Sequence, residues 1–370
     1  MMIHIPKLVV LNLTSDCNMR CQYCYAAAGE RYEYMSKMTA LRVIDEMIRI
    51  NQGCQINVLF HGGEPLICYD VLKSVISHCE KNYRNRIKFY IQTNCLLLDE
   101  EKIAYFIENN VKISISVDGD NNLSNICRVL PDGENSIEYI KRSIQLLNRY
   151  NVNVNALAVL NKYNYKEVNK IIKFFVENNI YLFSFNYFIK GGRGNNSDLA
   201  LNSNELFETT VKILSTIEKY HNKGIYVIER NTYYLVKMLV TGIKTFMCSS
   251  SPCGAGISII GIAPNGDVFP CDDLSGQEQF KLGNINTTDL DVILDNKIIK
   301  YFTLCNLNNI KKCCECEIKN KCGAGCCSRK YYENDDIYCV DPLCEFYKKI
   351  IPYVEKQLQS KKIDYSFYKI

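Results

Sequence analysis

Three thiols near the start of the chain are placed for metal chemistry. Cys17, Cys21 and Cys24 stand in "TSDCNMRCQYCYA" with C-x3-C-x2-C spacing, directly after the apolar run "KLVVLNL". Four cysteines would close a tetrahedral site, whereas three leave a position open, and an open metal position is where chemistry takes place. On a [4Fe–4S] cluster, three thiolates leave one iron without a protein ligand. Zinc with a remote fourth ligand is the alternative for the same triad. A second concentration lies far downstream. "CGAGISIIGIAPNGDVFPC" gives Cys253-x12-Gly266-x4-Cys271, and "CCECEIKNKCGAGC" gives Cys313-x2-Cys316-x5-Cys322-x3-Cys326, with Cys344 after it. Structural zinc also uses C-x2-C pairs.

Such groups need elements to hold them. "KLVVLNL", "QINVLFH", "IKFYIQT", "VKISISVD", "VNVNALAVL" and "YLFSFNYF" are short, apolar and rich in β-branched or aromatic residues, as strands are. Between them run helix-periodic stretches such as "ALRVIDEMIRI", "EEKIAYFIENN" and "YKEVNKIIKFFVENN". Repeated βα units predict an α/β fold with a parallel sheet covered by helices. Six units are too few for a closed eight-stranded barrel, so a partial barrel and a doubly wound sheet both stand on pattern alone.

In a βα barrel, functional groups gather at the carboxyl ends of the strands. The cysteine triad follows the first strand, "HGGEPL" the second and "QTNC" the third, and the fourth ends in "SVDG". All four therefore belong on one rim. Gly62 and Gly63 permit close backbone approach to a ligand, their carbonyls could accept from an ammonium, and Pro65 stiffens the turn. A plain tight turn is the alternative. From about Gly191 the βα pattern breaks: "GGRGNNSD" reads as a loop, helices follow over 203–221 and near 232–239, and a helix containing one Pro closes the chain. Between Cys248 and Cys344 periodicity is poor, and that segment needs metal clusters to hold it.

Bulk composition excludes several classes. The 370 residues carry a net charge of +4, too small to argue for nucleic acid or a membrane surface. No apolar stretch spans a bilayer and no secretory signal is visible, which makes a cytoplasmic location the expectation. Twenty cysteines would read as disulfides in a secreted chain, but the tight C-x2-C spacings favour metal.

"CNMRCQYCY" followed by "GGEP" resembles the radical S-adenosylmethionine (radical SAM) superfamily. That resemblance implies a partial (β/α)6 TIM-like barrel with SAM chelating the open iron. One-electron cleavage then gives a 5′-deoxyadenosyl radical that takes hydrogen from a substrate. It further implies cofactor-binding roles for Gly62, Gly63, Glu64 and Pro65, rim positions for Thr93 and Asn94, and an adenine contact for Tyr25. Ser116 and Arg128 fall where related enzymes hold the SAM carboxylate, an ordinary surface Arg being the alternative for Arg128. Cys95 stands where the family has Gly. The downstream cysteines resemble the SPASM extension, a small Cys-rich domain with two auxiliary [4Fe–4S] clusters, making three clusters in all. By that resemblance Cys313, Cys316, Cys322 and Cys344 hold the outer cluster, with Cys339 competing for the last place. Cys253, Cys271 and Cys326 hold the inner cluster, with Cys248 as its fourth ligand. Asp272 is then the general base, with Asp273 as competitor, and His61 is a rim residue without a role. The remaining cysteines, Cys54, Cys68, Cys79, Cys95, Cys127, Cys305, Cys314 and Cys327, read mostly as buried inert thiols.

The resulting division is a barrel over 1–225, a connecting helix over 226–247, a SPASM domain over 248–345, and a closing helix and tail over 346–370. A peptide or protein substrate and a flavodoxin- or ferredoxin-like electron donor are implied. Two substrates compete: a ribosomally made, Cys-rich peptide that receives a crosslink or oxidation, and a sulfatase Cys or Ser oxidised to formylglycine. Compact length, no leader-binding segment ahead of the first strand, and "PCDD" favour the second. "DGDNNLSNICRVLPDG", Cys95 and the extra cysteines depart from it, and the reading leans to the peptide maturase. From other classes come a non-catalytic iron–sulfur carrier and a zinc-stabilised binding module.

Overall fold

A computed structural model describes residues 5–121 and 125–360. Six parallel strands, β1 (Leu8–Asn12), β2 (Ile56–His61), β3 (Ile87–Thr93), β4 (Lys112–Ser116), β5 (Asn155–Leu160) and β6 (Leu182–Tyr187), lie side by side in chain order. The helices between and after them are α1 (Lys37–Ile50), α2 (Tyr69–Asn82), α3 (Glu100–Glu108), α4 (Ile137–Arg149), α5 (Val168–Glu177) and α6 (Ser203–His221). A doubly wound sheet reverses its strand order at a switch point. This sheet never reverses, so it is the partial barrel.

Helix boundaries follow local signals. Ser36 caps α1 by accepting from the Thr39 N–H at 3.0 Å. At α6, Asn202 accepts from the Glu205 N–H while the Glu205 carboxylate accepts from the Asn202 N–H, a reciprocal capping box. Ile137, Ile140, Ile144 and Leu147 of α4 are spaced by three or four residues and all face the core. β1 is buried along nearly its whole length because it has strands on both sides and helices over it.

The sheet does not stop at six strands. β7 (Ile228–Glu229) adds to β6, and α7 (Arg230–Thr241) follows it. On the other edge β8 (Ile259–Ile262) pairs parallel with β1, Leu8 opposite Ile259 and Val9 opposite Ile260. β9 (Asp267–Phe269) and β10 (Gly283–Asn284) continue outward, antiparallel. The Cys-rich segment is thus joined to the barrel by a continuous sheet. Short helices fill the rest: α8 (Leu290–Leu294), α9 (Lys297–Leu304), α10 (Lys311–Cys314), α11 (Lys319–Cys322) and α12 (Cys327–Asn334). α13 (Cys344–Gln359) closes the described chain with an exposed Pro352 inside it.

The main core runs through the barrel and takes in Ile285, Leu290 and Ile293 as well as Phe346, Ile350 and Val354 of α13. A smaller core of Phe269, Leu274, Phe280, Phe302 and Ile337 sits among the downstream cysteines, Cys305 and Cys327 included. That segment has more regular structure and more apolar packing than its periodicity suggests. Its elements are too short to show a period.

Candidate active site

The loop after β1 is clamped by three other segments. The Gly63 N–H donates to the Thr14 carbonyl at 2.7 Å and the Glu64 N–H to the Asp16 carbonyl at 2.9 Å. A Cβ on Gly63 would lie 1.9 Å from the Asp16 oxygen, so only glycine allows this approach. The close contact of "GGEP" is therefore made with the cysteine loop itself. From "GGRG", the Arg193 N–H donates to the Cys24 carbonyl at 3.0 Å and its Nε to the Cys21 carbonyl at 2.9 Å. On the third side, the Arg20 and Gln22 N–H groups donate to Val129 and Cys127.

Glu64 is fully buried. Its carboxylate accepts from Thr93 Oγ1 at 2.7 Å and from the N–H groups of Asn94 and Leu66 at 2.8 and 3.1 Å. Burial raises its pKa against the opposing hydrogen bonds. Glu64 and Thr93 thereby tie the ends of β2 and β3 together, and Pro65 begins the short 3-10 turn that follows. Asn94 Nδ2 donates to Asn18 Oδ1 at 2.7 Å and points at Cys17 Sγ, 3.7 Å away. Burial pushes the Cys17 thiol up to about 12, with the Glu64 charge and the two neighbouring thiols adding to it. Free, this thiol keeps its proton; only a metal that displaces the proton converts it to a ligand.

Arg128 is not a surface residue: it is 5% exposed. Its guanidinium donates to Tyr23 Oη at 2.9 Å, and Tyr23 donates to Asp118 Oδ2 at 2.6 Å. Its buried Nε has no partner among the described residues, which leaves a donor free beside Cys21, a fit for a carboxylate. Ser116 accepts from Gln92 Nε2 at 2.7 Å on the same rim.

The downstream thiols fall into two groups. Burial raises the Cys271 thiol, which also senses the charges of Asp273, Cys253, Cys248 and Cys326, and the exposed Cys248 senses those of Cys326 and Cys253. Cys313 and Cys316 act on Cys344, and Cys344 and Cys313 on Cys322. Cys339 stands apart, its Sγ 3.0 Å from the Asp336 carbonyl. Among the described residues no three His, Cys, Asp or Glu side chains converge on a point as a single ion requires. A cubane takes each thiolate at a separate corner and asks for no such convergence.

Asp272 joins the two cysteine regions. One carboxylate oxygen accepts from Asn12 Nδ2 at the end of β1 (2.8 Å), the other from Tyr25 Oη, the residue after Cys24 (2.8 Å). His61 Nδ1 lies 3.4 Å from that second oxygen. Tyr25 thus directs its hydroxyl to Asp272. Asp273 instead accepts from Ser328 Oγ at 3.0 Å, away from the rim.

The family model described as the radical SAM superfamily matches residues 11–175, and the iron–sulfur cluster-binding SPASM model matches residues 253–322. This chain is a radical SAM enzyme with a SPASM extension. One relative, the cysteine-type anaerobic sulfatase-maturating enzyme of Clostridium novyi (strain NT), is 28% identical over 95% of this chain and 98% of its own. The radical SAM cyclopropyl synthase TigE of Paramaledivibacter caminithermalis is 26% identical over 93% of this chain and 73% of its own. The solved structure of native anSMEcpe with bound AdoMet and Cp18Cys peptide has a TM-score of 0.84 at 21% identity, covering 96% of this chain and 99% of that one. It shares the fold. Iron–sulfur binding belongs to both family models, and no helix among the described residues is long and apolar enough to cross a membrane.

Several site residues escape the sequence pattern. Asn12, Tyr23, Asp118 and Arg193 carry no role in the sequence pattern, although Tyr23 stands inside the cysteine motif and Asp118 inside "SVDG"; only the fold brings Asn12, Asp118 and Arg193 to the thiol loop or its neighbours. The "GGRG" signal was present, but its composition reads as an ordinary loop. Part of "DGDNNLSNICRVLPDG", residues 122–124, lies outside the described residues, as does the tail over 361–370.

Proposed function

We propose that this enzyme oxidises a side chain of a peptide or protein by hydrogen-atom abstraction, with Asp272 as the base, the substrate side chain being Cys or Ser and the product formylglycine. The observation that carries this reading is the Asp272 carboxylate. It follows Cys271 directly and is hydrogen-bonded to Tyr25, next to Cys24, so the base stands between the triad and the inner auxiliary site. Cys17, Cys21 and Cys24 hold one [4Fe–4S] cluster, Cys248, Cys253, Cys271 and Cys326 a second, and Cys313, Cys316, Cys322 and Cys344 a third. Gly62, Gly63, Thr93, Asn94 and Ser116 would hold SAM, and Arg128 would take its carboxylate. The division into a barrel over 1–225 and a SPASM domain over 248–345 belongs to this reading.

When bound, SAM supplies a radical that takes one hydrogen atom from the substrate, and the auxiliary clusters supply an acceptor for one electron. The protein's own part is the proton. Asp272 takes it from the substrate hydroxyl or thiol; once the hydrogen atom, the proton and the electron have gone, Ser is left with the C=O bond directly, and Cys with a C=S bond that water hydrolyses to C=O with release of hydrogen sulfide. Asn12 and Tyr25 fix the carboxylate while that happens. Tyr23, backed by Asp118, fixes the Arg128 fork.

A second reading is a crosslink in a ribosomally made, Cys-rich peptide, favoured by the similarity to TigE over 93% of this chain. The C. novyi enzyme matches nearly from end to end, and this reverses the order in which the sequence alone placed the two readings. The test is anaerobic reconstitution with iron and sulfide counts, a reductant-driven SAM-cleavage assay with a flavodoxin as donor, and mass spectrometry of Cys-containing peptides. A hydrazine-trappable aldehyde supports the first reading, and a crosslinked peptide the second. Clusters without SAM cleavage would leave an electron carrier, and zinc in place of iron would overturn both readings.

A further inference from the structure

One charged residue among the downstream cysteines lacks a conventional partner. Lys330, on α12, is 1% exposed. Its Nζ reaches Cys305 Sγ at 3.7 Å, and Cys305 is itself contacted by the Cys327 thiol at 3.5 Å; both cysteines are 2% exposed. These thiols pack in the small core together with Cys253 of the inner set and Cys313 of the outer set.

Its neighbour makes the contrast. Arg329, its side chain 12% exposed, has a carboxylate: Asp341 accepts from its Nη2 at 2.7 Å and its Nε at 3.2 Å. The same Asp341 also accepts from the N–H groups of Cys326 and Leu343, so its capacity is taken up. No ion pair among the described residues includes Lys330. An unpaired ammonium in an apolar interior is costly and is retained where an anion compensates it. Two thiolate-ligated clusters, one bound through Cys253 and one through Cys313 beside the same small core, would be such anions.

We propose that Lys330 is a buried cation shared by the two auxiliary sites, held in place by Cys305 and Cys327, and that it raises the reduction potentials of the clusters bound there. The inference rests on the cluster assignments proposed above. Reduction adds one negative charge to a cluster, and a fixed positive charge in a low-dielectric setting favours that step. Lys330 is thus a positioning residue for electron acceptance after hydrogen abstraction, and Cys305 and Cys327 orient its ammonium without ligating iron.

The experiment uses the full chain with Cys17→Ala, Cys21→Ala and Cys24→Ala, so that only auxiliary clusters give a signal. Iron and sulfide are counted, and reduction is followed by electron paramagnetic resonance at controlled potentials. Lys330→Met keeps length and removes charge. It is expected to make cluster reduction at least tenfold less favourable, a downward midpoint shift of about 59 mV for a one-electron couple, with Lys330→Arg close to the parent. Unchanged midpoints in a fully loaded Lys330→Met variant would overturn the proposal. Loss of auxiliary iron in Lys330→Met but not in Lys330→Arg supports it, because the charge is then what the clusters require. Loss in both assigns Lys330 to packing and overturns it. A parent chain holding no auxiliary iron would instead refute the cluster assignments, and the iron count separates that failure from the others.

Discussion

The loop of Cys17, Cys21 and Cys24 and the segment from Cys248 to Cys344 both present thiols, but by different means. The loop is short and hangs from the buried end of β1, with "GGEP", "GGRG" and the segment at Cys127–Val129 bonded to its backbone. Its geometry belongs to the barrel. The downstream segment has short helices, a small core and one sheet connection to β1, and its thiols are themselves part of that core. Regular structure can set ligand positions before a metal arrives, whereas a loosely built segment shares the task with the metal.

The largest expected effect separates the two regions directly. Replacing Cys17, Cys21 and Cys24 together by Ala abolishes SAM cleavage, yet circular dichroism should show a nearly unchanged melting curve. Replacing Cys313 and Cys322 by Ala should instead remove about a third of the iron and make the segment sensitive to limited proteolysis. Equal destabilisation by the two sets would break the distinction. Gly63→Ala comes next. Its Cβ meets the Asp16 carbonyl, so the loop must separate from "GGEP". A loss of about 3 kcal/mol in urea unfolding is expected, together with poor loading of the first cluster. Glu64→Gln sharpens the same point with a smaller effect. It leaves part of the buried Thr93 and Asn94 donor set unpaired, at about 1–3 kcal/mol. Cys54→Ser should do least: the side chain is exposed, and stability should move by no more than about 0.5 kcal/mol.

Much of the barrel was legible because strand and helix periods are local properties. Each of the six strand candidates contains one of β1–β6, and the helix over 203–221 is α6. The cysteine spacings were legible because ligands on one short loop must be near one another. β8 was not, since "SIIGIA" is too short to announce a partner nearly 250 residues away. Asp273 and Asp272 could not be told apart in "PCDD" either. Adjacent residues in a short 3-10 turn point in different directions, and only the fold shows that Tyr25 and Asn12 meet Asp272 while Ser328 meets Asp273.

The sequence by itself determined the chemistry available to this protein: an open triad of thiols, a glycine pair permitting close backbone approach, and two further cysteine sets at cluster spacing. Those are matters of residue type and short separation. Tertiary structure decided which carboxylate faces the rim, that Arg128 is buried on a Tyr23–Asp118 chain, and that the Cys-rich segment extends the barrel's own sheet. Each of these depends on groups far apart in the chain, brought together by the burial of apolar faces, which fixes neighbours that no local pattern encodes.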